Sequence, residues 1–392
     1  MGWERQKPFT TEQPTPPSSV SWLLSAVLAV IASVLLFILH ASSSLSVLSS
    51  INIWLFSLIP LLLWILVFSL RGYLYGRELE RFQFLQHEAR HAQQQWTAWA
   101  ERYLAVSASC LLLPDHISAA LLQQNARGLT QQQGLVRRID YFTEDKRLPV
   151  TAIHGLLNGV ENALLALPRE LLLQVTLLTD EPEAIRQDLY ALFSDCWKER
   201  FPEHSALSSL SITDHLSFYT LDERLKQPES TLQLVLVTQL QGGKRYSDGL
   251  AALLFTSDDV AQKYALPHPV RLLRPMPLGV VGNLAEELTL FLTTQTQARQ
   301  TVSILGDQQK WMASSATLIQ TGNTLGTVWQ AEDIKTIETY CGIQGPFSPW
   351  LTLALGADLV SVGKQSWLGL STTGAENFVY TITSGSEDER VK

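Results

Sequence analysis

Two uninterrupted apolar stretches stand near the start of the chain. Residues 20–41 read VSWLLSAVLAVIASVLLFILHA and residues 51–70 read INIWLFSLIPLLLWILVFSL. Each has about 20 residues, enough at 1.5 Å rise per residue to cross a hydrocarbon core of roughly 30 Å. The serine-rich ASSSLSVLSS between them is long enough only for a tight turn. Trp22, Tyr73 and Tyr75 suit interfacial positions, and a membrane helix tolerates Pro60. The pattern predicts a transmembrane helical hairpin over 20–70. A cleaved signal peptide fits less well, because the first apolar region exceeds the usual 7–15 residues or so, follows a polar leader (1–19), and is succeeded at once by a second span. The pattern then turns polar. Residues 71–104 contain RELERFQFLQHEARHAQQQWTAWAERY, with no Gly or Pro after Gly76, and predict a stalk helix.

From residue 105 to 383 the periodicity alternates between strand and helix. Strands are predicted at 106–113, 171–180, 231–241, 249–257, 269–278, 301–306, 366–371 and 377–383. Helices are predicted at 153–167, 183–201, 283–293, around Trp311, and over AEDIKTIETY (331–340). Residues 122–148, rich in Gln and charge, read as exposed structure, and the tail SGSEDERVK (384–392) as disordered. Interleaved strands and helices define a layered α/β body.

Charge sharpens the division. The chain has a formal net charge of −8 and 17% charged residues, fewer than the roughly 25% of an average soluble domain. No Asp, Glu, Lys or Arg occurs between Val20 and Leu70. Glu4 and Glu12 cancel Arg5 and Lys7, so the whole −8 belongs to residues 71–392. An acidic body argues against nucleic acid as partner. Arg5 and Lys7 precede the first span and Arg71, Arg77 and Arg81 follow the second, whereas the connector has no basic residue. The positive-inside rule then places both termini and the body in the cytoplasm.

Candidate chemistry is sparse. His87-Glu88-Ala89-Arg90-His91 fits H-E-x-x-H, in which two His at i and i+4 share a helix face and hold zinc while the Glu activates water. Here the surroundings, Gln86, Arg90 and residues 93–95, are those of a solvated helix, and no third ligand is marked. Gly242-Gly243-Lys244-Arg245 lacks the spacing and hydroxyl of a phosphate loop, and no G-x-G-x-x-G follows a strand. No cofactor is implied. Ser371, in Gly369–Gly374, misses a nucleophile elbow by one residue. The three cysteines, Cys110, Cys196 and Cys341, are odd in number and widely spaced, which suggests neither disulfides nor a zinc site. Cys110 and Cys196 read as core thiols. Cys341, before Gly342, is the most plausible reactive one.

The stretch 231–278 resembles a known family. Tyr246-Ser247-Asp248-Gly249-Leu250-Ala251-Ala252-Leu253-Leu254-Phe255, followed by DDVAQKYAL and VRLLRPMP, is similar to the S-E-G-A-A-A-L-V-L strand and succeeding helix of the thiolase-like (ketoacyl synthase) superfamily. Residues 301–309, TVSILGDQQ, resemble its late strand. Gly342-Ile343-Gln344-Gly345 and the helix after it resemble the loop that carries a catalytic His. The resemblance implies a thiolase-like body over 105–383. It also implies a nucleophilic Cys at a helix N-terminus in the first half, which this sequence lacks, and Gln344 stands where the His is expected. Acyl transfer needs thiolate and His together, so the resemblance implies an inactive scaffold. Inactive modules of this kind on a bacterial inner membrane are similar to proteins found with type VI secretion systems, where they help load effectors.

The expectation is therefore a non-catalytic, inner-membrane-anchored adaptor that binds protein partners. The alternative is a membrane-bound enzyme, either a divergent acyl transferase using Cys341 or a zinc protease using His87, Glu88 and His91. The sequence leaves the oligomeric state open.

Overall fold

The computed structural model describes residues 2–5, 9–42, 52–125, 129–141, 148–201, 207–226, 231–279, 283–374 and 376–386. It divides into two compact units, Arg5–Gln95 and a body made of Met1–Glu4 with Trp96–Lys392.

The smaller unit is a pair of helices. α1 spans Ser19–Ala41, with Ser18 as its N-cap, and α2 starts at Ile53 and ends at Ala100. Both are long and apolar enough to cross a membrane. Their large apolar side chains face outward: Val20, Leu23, Leu28, Trp54 and Leu66 are each more than 60% exposed. That is the reverse of a core helix in a water-soluble protein, whose apolar face is buried. The two helices meet antiparallel. Trp64 Nε1 donates to Ser25 Oγ at 2.9 Å, Phe37 meets Trp54, and His40 meets Phe56. A hydrogen bond from an indole to a serine matters where no water competes. Most of the serine-rich connector lies outside the described residues.

The body is one mixed sheet of 11 strands. In chain order they are β1 (Tyr103–Leu112), β2 (Leu172–Thr179), β3 (Leu207–Thr213), β4 (Thr231–Gln239), β5 (Gly249–Ser257), β6 (His268–Leu273), β7 (Met276–Leu278), β8 (Ser303–Gly306), β9 (Ile334–Thr336), β10 (Trp367–Thr373) and β11 (Glu376–Ser386). The helices are α3 (Ala119–Asn125), α4 (Leu148–Leu165), α5 (Glu183–Arg200), α6 (Tyr219–Lys226), α7 (Asp258–Lys263), α8 (Leu284–Thr294), α9 (Ser315–Thr324), α10 (Ile337–Cys341) and α11 (Ser348–Gly363).

The strand order is β3-β2-β4-β5-β1-β6-β11-β10-β8-β9. It is a duplication. In the first half β2 is parallel to β3 and β4, and β5 runs antiparallel to β4 and β1. In the second half β8 is parallel to β9 and β10, and β11 runs antiparallel to β10 and β6. The halves join where β1 pairs antiparallel with β6. Helices follow a similar repeat: α5 precedes and α6 follows β3, as α9 precedes β9 and α11 follows it after the short α10.

Alternation along the strands sorts the core into three clusters. Leu173, Val175 and Leu177 of β2, with Leu232, Leu234 and Leu236 of β4, face α4 and α5. Ile304, Leu368 and Val379 face α8 and α9. The remaining faces of both halves close on α11, where Leu351, Leu353, Ala354, Leu355 and Ala357 are all 2% exposed or less. A helix buried all round needs an apolar sequence on every side, and LTLALGA supplies it.

Four details depart from the sequence reading. The stalk is expected over 71–104, but α2 stops at Ala100 and Tyr103 and Leu104 already pair with Leu273 and Leu272. The strand 269–278 is two, because the chain breaks at Arg274-Pro275 and the Arg274 side chain turns inward. Within 331–340 the segment Ile334–Thr336 is a strand, its Ile334 and Thr336 buried beside β8. Ser384 to Ser386 belong to β11 rather than to a tail; residues 387–392 lie outside the described residues.

Candidate functional site

The zinc-like motif lies on α2, where His87, Glu88 and His91 are all exposed. His91 Nε2 lies 2.9 Å from Gln95 Nε2, its neighbour one turn on. Among the described residues no group of three or more His, Cys, Asp or Glu could hold a metal ion.

Cys196 and Cys341 are buried and Cys110 is partly exposed. Cys110 lies within β1, where burial, then Asp358, pushes its thiol up to about 11. Cys341 ends α10 at 1% exposure, and burial pushes its thiol upward. Cys196, near the end of α5, is also raised, chiefly by burial. Its Sγ lies 3.4 Å from His154 Nε2 on α4, a pairing that the spacing in sequence does not disclose. Reactive thiols have lowered values, whereas all three of these are raised. None of the three begins a helix. Ser371 Oγ is fully buried against the Tyr380 hydroxyl at 2.9 Å.

The loop 342–347, which carries Gln344, is packed shut. Gly342 has φ +80°, and a side chain there would strike the Leu135 carbonyl. A Cβ at Gly345 would lie 2.5 Å from Gln239 and 2.6 Å from the Tyr246 ring. Gln239 Nε2 donates to Ser247 O at 2.8 Å, and its Oε1 accepts from Phe347 N at 3.1 Å. The segment read as exposed, 122–148, in fact covers this loop in part. Ile343 N donates to Leu135 O, Asp248 N to Arg137 O, and Arg138 pairs with buried Asp248. Gln344 Nε2 merely donates to Gly342 O at 2.8 Å.

The start of α6, the first-half counterpart of α11, is filled by rings. Phe218 is fully buried, 5.2 Å from Trp350 and 5.5 Å from both Phe378 and Tyr380. Trp350 Nε1 donates to Leu216 O at 3.1 Å. Beside α11, Asp307 is fully buried and accepts from Trp311 Nε1, Thr372 N and Ser348 Oγ. Burial still pushes its carboxyl up to about 6.

An open cavity of about 270 Å³ lies next to this plug. Trp3, Trp96 and Trp99 form its walls, with Tyr219, Phe378 and Pro277 among the other lining groups. Trp3 and Trp96 each stand almost perpendicular to Trp99, at 79° and 81°, so the indoles form a corner rather than a stack. Behind Trp99, fully buried Arg274 places Cζ 4.1 Å from the indole centroid and donates to Asp222 at 2.6 Å. Lys226 Nζ reaches the other Asp222 oxygen at 2.7 Å, and Glu4 completes the rim. Sequence reasoning missed this site because its walls come from residues 3, 96–99, 218–219 and 378. The one legible signal was the density of Trp at the end of the stalk.

No family model matches the chain, and no curated protein matches it. Among solved structures it is similar to the ishigamide ketosynthase/chain length factor, at 13% identity over 72% of this chain and 100% of that one, with a TM-score of 0.49. The ketosynthase from module 1 of the bacillaene synthase from Bacillus amyloliquefaciens matches at 10% identity over 74% and 77%, with a TM-score of 0.49. The 3-oxoacyl-[acyl-carrier-protein] synthase III from Aquifex aeolicus matches at 12% over 72% and 100%, with a TM-score of 0.44. These are ketosynthase-type proteins, the class that the sequence motifs resemble. At such scores nothing about chemistry transfers, and the body stands on its own strand order as a duplicated, mixed α/β sheet.

Proposed function

We propose that the chain is a non-catalytic, thiolase-like binding protein held in a bacterial inner membrane by its helical hairpin, an adaptor that engages a protein partner through the aromatic cavity. One observation supports a reading without catalysis: the loop 342–347, which resembles the loop for a catalytic His, is closed by the protein's own backbone and side chains. Leu135 and Gln239 close on the glycines of that loop, and Phe218 and Trp350 pack together at the start of α6. The raised thiols support the same reading, because acyl transfer requires a thiolate.

Anchoring is supported by the outward apolar faces of α1 and α2. Gly2 packs against Met276 and Leu290, and Trp3 against Trp99 and Phe291. The N-terminus therefore lies on the same side as the body, which suits an even number of crossings. With the basic flanks, this supports a topology with both termini in the cytoplasm. The particular setting, loading of effectors for type VI secretion, follows from the resemblance.

The test is recovery of partners from detergent-solubilised membranes. Wild-type chain should bring down a secretion component or effector, and Trp96→Ala should lose it. Recovery unaffected by Trp96→Ala, or recovery of no such component, contradicts the proposal.

A further inference from the structure

The cavity lined by Trp3, Trp96 and Trp99 has the chemistry to select its ligand. We infer that it takes a cationic side chain, an arginine or lysine presented by the protein partner; this rests on the binding reading above and specifies it.

Four observations converge. The volume, about 270 Å³, falls just below the roughly 300–1,000 Å³ typical of small-molecule sites, and so suits one anchoring side chain better than a cofactor. The walls are indoles set at right angles, and indole is the best ring for holding a cation. Two carboxylates, Glu4 and Asp222, belong to the lining, and Glu376 also bears on the Tyr219 hydroxyl. The fold has already made this pairing once. Arg274 lies 4.1 Å from the Trp99 centroid with its Nη1 2.6 Å from Asp222.

Lys226 completes the argument. Its ammonium, on a side chain 50% exposed, lies 2.7 Å from Asp222 and 3.1 Å from Glu223. It is the protein's own cation at the rim. An ion pair one helical turn apart whose lysine is half exposed is weak,, so an incoming guanidinium can displace Lys226 and take the Asp222 oxygen. Arg274, buried on the far side of Trp99, keeps its own oxygen throughout. A hydrophobic or acidic anchor would gain nothing from Asp222 and would leave Glu4 unpaired.

The experiment titrates the full-length chain in detergent micelles with N-acetyl-arginine amide and with its neutral isostere N-acetyl-citrulline amide. Binding is read from the indole N–H resonances of Trp3, Trp96 and Trp99, assigned by Trp→Phe variants. The arginine amide should shift these resonances saturably and bind at least tenfold tighter than citrulline. Lys226→Ala, and equally Lys226→Gln, should tighten arginine binding several-fold by removing the competitor, an effect that loss of structure does not produce. Equal binding of the two amides, no saturable shift, or no gain in both Lys226 variants overturns the inference. Those failures are separable from failure of the binding reading. If they occur while Trp96→Ala still abolishes partner recovery, the cavity binds its partner by another chemistry. If Trp96→Ala leaves recovery intact, the binding reading itself falls.

Discussion

Asp307 concentrates the physics of this body in one side chain. Its carboxyl is fully buried, and three donors from three elements converge on it, yet burial wins and raises it to about 6. The unfolded value is near 3.9, so the folded chain binds more protons between those limits. A carboxyl raised in this way contributes its full stability below about pH 4 and loses it as the pH rises through about 6. Asp307→Asn should therefore remove part of the stability loss between pH 4 and 6. At pH 7 it should still cost about 1–3 kcal/mol, because an amide nitrogen then faces donors. Denaturant unfolding of both proteins at several pH values checks this; parallel pH profiles would contradict it. The thiols offer a second check. Cys110, at about 11, and buried Cys341 should resist iodoacetamide at pH 8 in the native protein and react only on unfolding,. Rapid native alkylation of Cys341 would restore the acyl-transfer alternative.

Among elements, α11 shows how closely a helix fits the sheet beneath it. A Cβ on Gly356 would strike Ile382 Cδ1 of β11. Gly356→Ala should destabilise by about 1–3 kcal/mol through overpacking. Ile382→Val removes the struck atom, and in that background the same substitution should be neutral or stabilising, since Ala is the better helix former by about 1 kcal/mol. A double-mutant cycle on unfolding free energies measures this coupling; additive costs would refute the contact. Trp350→Ala, which empties the plug beside Phe218, should cost about 3–5 kcal/mol.

The same elements show what the sequence could disclose. β5 was legible end to end, because GLAALLFTS is apolar between a turn and a capping Ser257-Asp258-Asp259. β2, β4, α5 and β11 were legible to within a few residues. β3 escaped because Leu207–Thr213, LSSLSIT, is an edge strand with little apolar pattern. β9 escaped because three residues in parallel pairing carry no period of their own. The duplication was not legible, since it lies in strand order and not in repeated residues. Of the site features, the core setting of Cys196 was readable from the helix that carries it. The cavity was not, because Trp3, Trp99, Tyr219 and Phe378 meet only in the folded chain.

At the scale of the whole molecule, an apolar hairpin with outward-facing side chains accompanies an acidic body whose Cys196 and Cys341 are buried and whose surface holds the cavity lined by Trp3, Trp96 and Trp99. A reporter fused after Lys392 that is active only in the periplasm should stay silent; activity would reverse the orientation. Replacing all three thiols is the sharpest test of the proposal that the body binds without catalysing. The variant Cys110→Ala, Cys196→Ala, Cys341→Ala, once shown to be folded and membrane-inserted, should recover partners and complement a deletion as well as the wild-type chain. A folded triple variant that recovers its partners yet fails to complement would show that a thiol performs chemistry after all.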